Sequence, residues 1–140
     1  MTARLQLDAD YLSLRAIGPW LAGVAGPAAE LGAVELAVHE LGANCIDHAQ
    51  PVDGKITLDG TMDGDVLIIH VRDRGKEFDR SGVKSPDPDV PQVRGYGLMI
   101  LEQIAEDVQY NRTDDTNVWV LRFRVVNDQI ATHAGQEAGR

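Results

Sequence analysis

Residues 55–73 read KITLDGTMDGDVLIIHVRD. Two strand-like runs, Lys55 to Asp59 and Asp65 to Arg72, flank the polar turn Gly60-Thr-Met-Asp-Gly64. So short a connection forces the two strands to be antiparallel. The second run is dense in Val, Leu and Ile, which predicts a central strand. Asp73 has the parity of Leu67, Ile69 and Val71, so it points to their face of the sheet.

Upstream, Ala28 to Gln50 predicts a long helix, stopped by Pro51. Leu31, Val34, Val38, Leu41 and Cys45 recur at steps of three and four and form one apolar stripe. Tyr11 to Val24 also has helical spacing, with Pro19 predicting a kink or a late start. Arg4 to Asp8 alternates like a short edge strand. Downstream, Arg74 to Arg94 is polar, broken by Gly, Ser and Pro, and aperiodic, which predicts a long functional loop. Gly97 to Val108 returns to helical spacing, and Asn117 to Val126 reads as a last strand. The expected order is β, α, α, β, β, loop, α, β. Its simplest packing is an α+β two-layer sandwich, a mostly antiparallel sheet with helices on one face. Residues 1–130 are expected to form one domain and 131–140 a disordered tail.

The 140 residues carry 22 acidic and 13 basic side chains, a formal net charge of −9. That charge repels nucleic acid and anionic lipid, so neither is an expected partner. The start of the chain has no signal-type apolar segment, and Val66 to Ile69 is far too short to span a bilayer. The single cysteine, Cys45, allows no internal disulfide, which fits a cytoplasmic location.

Three clusters carry possible chemistry. With Leu41 at zero and 100° per residue, the apolar stripe of the long helix spans roughly 0° to 80°. Asn44 then falls at about −60°, Glu40 at about −100° and His48 at about −20°, a polar row on the flank of the stripe. Ala33 and Ala37 share that flank and leave it open. A carboxamide there can give a neutral oxygen to Mg²⁺, and a carboxylate can take a proton. The second cluster, Asp73-Arg74-Gly75-Lys76-Glu77-Phe78-Asp79, puts a carboxylate at the mouth of the core, where it needs a donor. The exocyclic amine of adenine is a donor of the right kind. The third, Gly95-Tyr96-Gly97-Leu98, opens a helix and suits an anion, with Arg94 and Lys76 as nearby cations. Each cluster alone also fits an ordinary helix flank, strand-end turn or glycine-rich loop end.

In order and context the three resemble the nucleotide boxes of the GHKL ATPase superfamily. Within it the chain resembles the bacterial anti-sigma-factor serine kinases of partner-switching systems (RsbW-like). Glu40 to Ala49 resembles the N box, Asp73 to Asp79 the first glycine box and Gly95 to Val108 the second, with an Asn-bearing last strand at Asn117. The resemblance implies ATP and ADP as nucleotides, with Mg²⁺ held by Asn44. Glu40 would act as catalytic base, and Asp73 beside Gly75 would read the adenine amine. Gly95 and Gly97 would hold phosphate, with Lys76, Arg94, Tyr96 and Leu98 in the same boxes. Residues 76 to 94 would form a lid. The implied reaction is serine phosphorylation of an anti-anti-sigma factor with a STAS domain, and the second implied partner is a sigma factor. A homodimer is implied too, and Arg15 matches a partner-binding Arg of the first helix. Where the first glycine box often has its second Gly, this chain has Glu77. That residue motivates an alternative: a nucleotide-binding regulator of the same fold that sequesters a partner without transferring phosphate. The blandest reading is an α+β interaction domain with no nucleotide.

Overall fold

The computed structural model describes residues 2–27, 29–78 and 96–127. Strand β1 (Thr2–Asp8) leads through a 3-10 turn (Ser13–Ala16) into helix α1 (Ile17–Ala25). A two-residue strand β2 (Ala29–Glu30) precedes α2 (Gly32–Asn44), which widens into a π-type turn (Cys45–Ala49). Then come β3 (Lys55–Asp63), β4 (Val66–Asp73), α3 (Tyr96–Ile104), β5 (Asp107–Thr113), β6 (Thr116–Arg124) and β7 (Val126–Asn127). Five strands form one sheet in the order β1-β3-β4-β6-β5, with every neighbour antiparallel. The architecture is the expected α+β sandwich, and β4 is its central strand.

Burial alternates along β4 and β6 because side chains of a strand face opposite ways. Leu67, Ile69 and Val71 sit opposite Phe123, Leu121 and Trp119. Their face packs with Ile17 and Leu21 of α1, Val34, Ala37, Val38 and Leu41 of α2, and Leu98 and Leu101 of α3 in one hydrophobic core. Each fully buried aliphatic side chain contributes about 1.5–3 kcal/mol.

Three boundaries differ from expectation. The β3–β4 turn is the residue pair Gly64-Asp65, not Gly60 to Gly64. Gly64 takes the positive φ (61°) that so tight a hairpin requires. Gly60 lies inside β3, where the Trp20 ring covers it; a Cβ there would come within 2.9 Å of that ring. The long helix starts at Gly32, because Ala29–Glu30 pairs with Val126–Asn127 as a second small sheet. The helix predicted to end at Val108 stops at Ile104, and Val108 belongs to β5. Pro19 falls in the first turn of α1, where its missing N–H costs nothing, so the late start explains it. The predicted tail beyond residue 130 lies outside the described residues.

The opposite face of the sheet carries Asp59, which is buried beneath Arg4 and Arg72. Arg4 donates to its two oxygens from Nε at 2.8 Å and Nη2 at 3.1 Å. The Arg4 bonds, with help from Arg72, hold the Asp59 carboxyl below the usual carboxylate range. A depressed folded pKa adds stability above the unfolded value and loses it as pH falls through the folded one. Asp59→Asn should therefore cost about 1 kcal/mol at neutral pH after solvent screening. Urea melts of both proteins should converge as the pH drops below about 4.

Candidate functional site

The ends of α2 and β4 meet at one rim of the core. The last turn after α2 is π-type: Gln50 N–H donates to the Cys45 carbonyl at 2.9 Å, five residues back. Gln50 then takes a left-handed conformation (φ 50°), which ends the helix. The Ala49 carbonyl accepts a bond from Lys76 N–H at 2.7 Å, so it ties this turn to the segment after β4. Val52 N–H adds a second tie to the Arg74 carbonyl at 3.1 Å. Gly75 is buried directly against Ala49, so closely that only a glycine fits.

Asp73, the last residue of β4, is 3% exposed. Its Oδ1 accepts from Gly75 N–H and from the Asn117 amide, both at 2.9 Å. Its Oδ2 is buried and has no hydrogen-bond partner among the described residues. A buried carboxylate oxygen left unpaired costs free energy comparable to a lost charged hydrogen bond, so the position calls for an external donor. Cys45, the neighbour of Asn44 in the chain, lies against this carboxylate. Burial, and then the Asp73 charge, push its thiol well above the ordinary value, so it stays protonated and unreactive.

Asn44 and Glu40 lie one turn apart on α2, both half-buried. The flank beside them differs from expectation. Ala37 is completely buried in the core, while Ala33 is exposed, because α2 is covered by α3 and α1 as well as by the sheet. His48, expected in the same row, is exposed in the π-type turn, where the widened winding breaks the 100° register. Lys76 is exposed and donates from Nζ to Gln50 Oε1 at 3.0 Å. Glu77 is also exposed.

Of the third cluster, Tyr96, Gly97 and Leu98 open α3, which packs on α2, and Leu98 is buried in the core. Arg94 and Gly95 lie outside the described residues, as does most of the expected lid. Arg15 is exposed on the 3-10 turn, whose Leu14 rests on Gly42 of α2. Tyr11 just before it donates its hydroxyl to Asp47. Among the described residues no group of three or more His, Cys, Asp or Glu is placed to hold a metal ion. A neutral amide such as Asn44 holds Mg²⁺ only together with oxygens of a bound phosphate.

The support behind Asp73 lies outside the three sequence clusters. Asn117 is 1% exposed and spends both amide protons and its carbonyl within the site. Tyr110 and Arg112 of β5 reach it, and Phe78 packs edge-on against the Tyr110 and Trp119 rings. The period-two run Val108, Tyr110, Arg112 carried that signal, but helical spacing continued through Ala105 and Val108 and masked it.

The frame is an antiparallel sheet backed by helices, with one buried carboxylate oxygen that has no partner among the described residues where α2 and β4 end. Residues 6–123 match the histidine kinase-like ATPase domain family, and the chain belongs to it. No curated protein matches the sequence. Among solved structures the chain is similar to the RsbU and RsbW domains of Rv1364c from Mycobacterium tuberculosis. The TM-score is 0.63 at 18% identity, over 89% of this chain and 32% of that one. It is also similar to the Acinetobacter baumannii histidine kinase AdeS, at TM-score 0.51 and 12% identity, over 89% and 68% of the two chains. These likenesses carry the fold, and the chain spans about a third of the first of them. No described helix is long and apolar enough to cross a membrane.

Proposed function

We propose that the domain binds Mg-ATP at the α2–β4 rim and transfers its γ-phosphate to a serine of a protein partner. The buried Oδ2 of Asp73, which has no partner among the described residues, carries this reading. It is a buried acceptor that an adenine amine would satisfy and that is costly to leave without a donor. Asn44 would offer its amide oxygen to the metal, which when bound neutralises phosphate charge. Glu40, one turn earlier, would orient the attacking hydroxyl and take its proton as the new O–P bond forms and ADP departs. Gly95 and Gly97, with Lys76 and Arg94, would hold the phosphates at the start of α3. The resemblance to anti-sigma-factor kinases supports a STAS-type anti-anti-sigma factor as substrate and a sigma factor as the sequestered protein. Arg15 is the proposed contact for a partner. About two added negative charges on the substrate serine would break its complex and switch the domain between partners.

Intact mass spectrometry of a STAS-type partner incubated with the domain and Mg-ATP tests the proposal, and a gain of one phosphate is expected. Asn44→Ala should abolish Mg-ATP binding. Glu40→Gln should bind ATP with little change and lose transfer by about 100-fold or more. Full transfer by Glu40→Gln would remove the base assignment. A second reading rests on the exposed carboxylate of Glu77 at the rim: a regulator that binds ATP and sequesters its partner without phosphorylating it. Tight ATP binding with no mass gain would favour that reading.

A further inference from the structure

Two side chains of β5, outside every motif identified in the sequence, determine which way the Asn117 amide faces. The Asn117 NH₂ donates to Asp73 Oδ1 at 2.9 Å and to the Lys76 carbonyl at 2.7 Å. Its Oδ1 accepts from Arg112 Nη1 at 2.8 Å and from the Tyr110 hydroxyl. An amide fits a pocket either way round, and its partners choose between the two orientations. Arg112 has only donors, so it admits only the oxygen. The Tyr110 hydroxyl is also committed. Phe78 N–H donates to its oxygen at 3.0 Å, which directs the hydroxyl proton toward Asn117. With the amide turned over, its oxygen would face the Asp73 carboxylate and its NH₂ would face the Arg112 guanidinium.

We infer that Tyr110 and Arg112 are positioning residues for base recognition. By fixing the Asn117 amide they keep Asp73 Oδ1 engaged and leave Oδ2 as the acceptor for the amine of a 6-aminopurine. Arg112 reinforces this by donating to the Gly75 carbonyl at 2.9 Å, which steadies the turn that supplies the other bond to Oδ1. The inference rests on the nucleotide reading above. It adds that part of the discrimination between a 6-amino and a 6-oxo purine resides in β5.

The test compares ATP with inosine triphosphate, whose carbonyl replaces the amine, by calorimetry. Wild type, Tyr110→Phe, Arg112→Met and the double variant are titrated with each, and nucleotide-free melts report folding. Tyr110→Phe keeps the ring contacts with Phe78 and Trp119 and removes only the hydroxyl. Each single variant should lose about threefold to tenfold in ATP affinity, the share of one hydrogen bond. The double variant, whose amide is free to turn, should lose more than the product of the two. Inosine triphosphate affinity should stay within about twofold of wild type, so the ratio of the two affinities falls. Unchanged ratios in every variant would overturn the inference, as would equal losses for both nucleotides, which mark a purely structural role. If the double variant does not fold, the single variants are read by the same criterion. A wild type that binds neither nucleotide overturns the nucleotide reading and this inference with it.

Discussion

Gly75→Ala should destabilise the fold by about 3 kcal/mol or more and lower the melting temperature by roughly 10 °C. A Cβ at this position would stand 2.4 Å from the Ala49 carbonyl oxygen and 2.7 Å from its carbon. Both are backbone atoms, and neither can swing aside. The Ala49 oxygen is bonded to Lys76 N–H, and the Gly75 carbonyl is held by Arg112. Relief therefore requires the end of α2 to part from the end of β4, which opens the rim and breaks those bonds together. Gly42→Ala is the contrasting case. There a Cβ meets Leu14 Cδ2 at 2.7 Å, the far end of a flexible side chain. Alanine also favours the helix by about 1 kcal/mol over glycine, so the net change at Gly42 should be within about 1 kcal/mol. Thermal melts of the two variants side by side check the ordering. Equal melting temperatures would mean that the α2–β4 seam is not as tight as described.

Asp73→Asn should lower ATP affinity by about 100-fold or more while leaving the fold in place. The variant is nearly the same shape, and its remaining oxygen still accepts from Gly75 and Asn117. The new NH₂ takes the place of Oδ2 and would meet the adenine amine of the proposed complex donor to donor. A buried site that loses its matched acceptor rejects the ligand far more strongly than a site that loses an apolar contact. Calorimetry with Mg-ATP measures the loss, and melts without nucleotide separate it from unfolding. Wild-type affinity in this variant would remove Asp73 from base recognition.

Much of this arrangement is legible in the residues. The hairpin through Asp73 announces an antiparallel sheet, and alternation places the Asp73 carboxylate on the core face, where it lies. The apolar stripe of α2 identifies Val34, Val38, Leu41 and Cys45 as core. What escapes a linear reading depends on neighbours distant in sequence. Gly60 resembles a turn residue until Trp20 is seen to need its missing side chain. Ala37 seems to open a flank until α1 and α3 close over the helix. β5 is hidden by helical spacing that runs past Ile104, and its turn uses Asp114 at φ 56°, not the glycine that marks most hairpins. With β5 hidden, Tyr110 and Arg112 had no visible relation to Asp73.

In the proposed complex a nucleotide base docks on Asp73, on the helix-covered side of the sheet. Two protons report on that carboxylate from within 3 Å: Gly75 N–H and the Asn117 side-chain amide, both bonded to Oδ1 at 2.9 Å. A ¹⁵N-labelled sample titrated with Mg-ATP tests the claim directly. The account predicts saturable shifts of the Gly75 backbone amide and the Asn117 side-chain amide. The guanidinium resonances of Arg4 and Arg72, which sit on Asp59 across the sheet, should stay in place. A titration in which Gly75 and Asn117 do not respond, or in which the shifts fall around Asp59 instead, would contradict it.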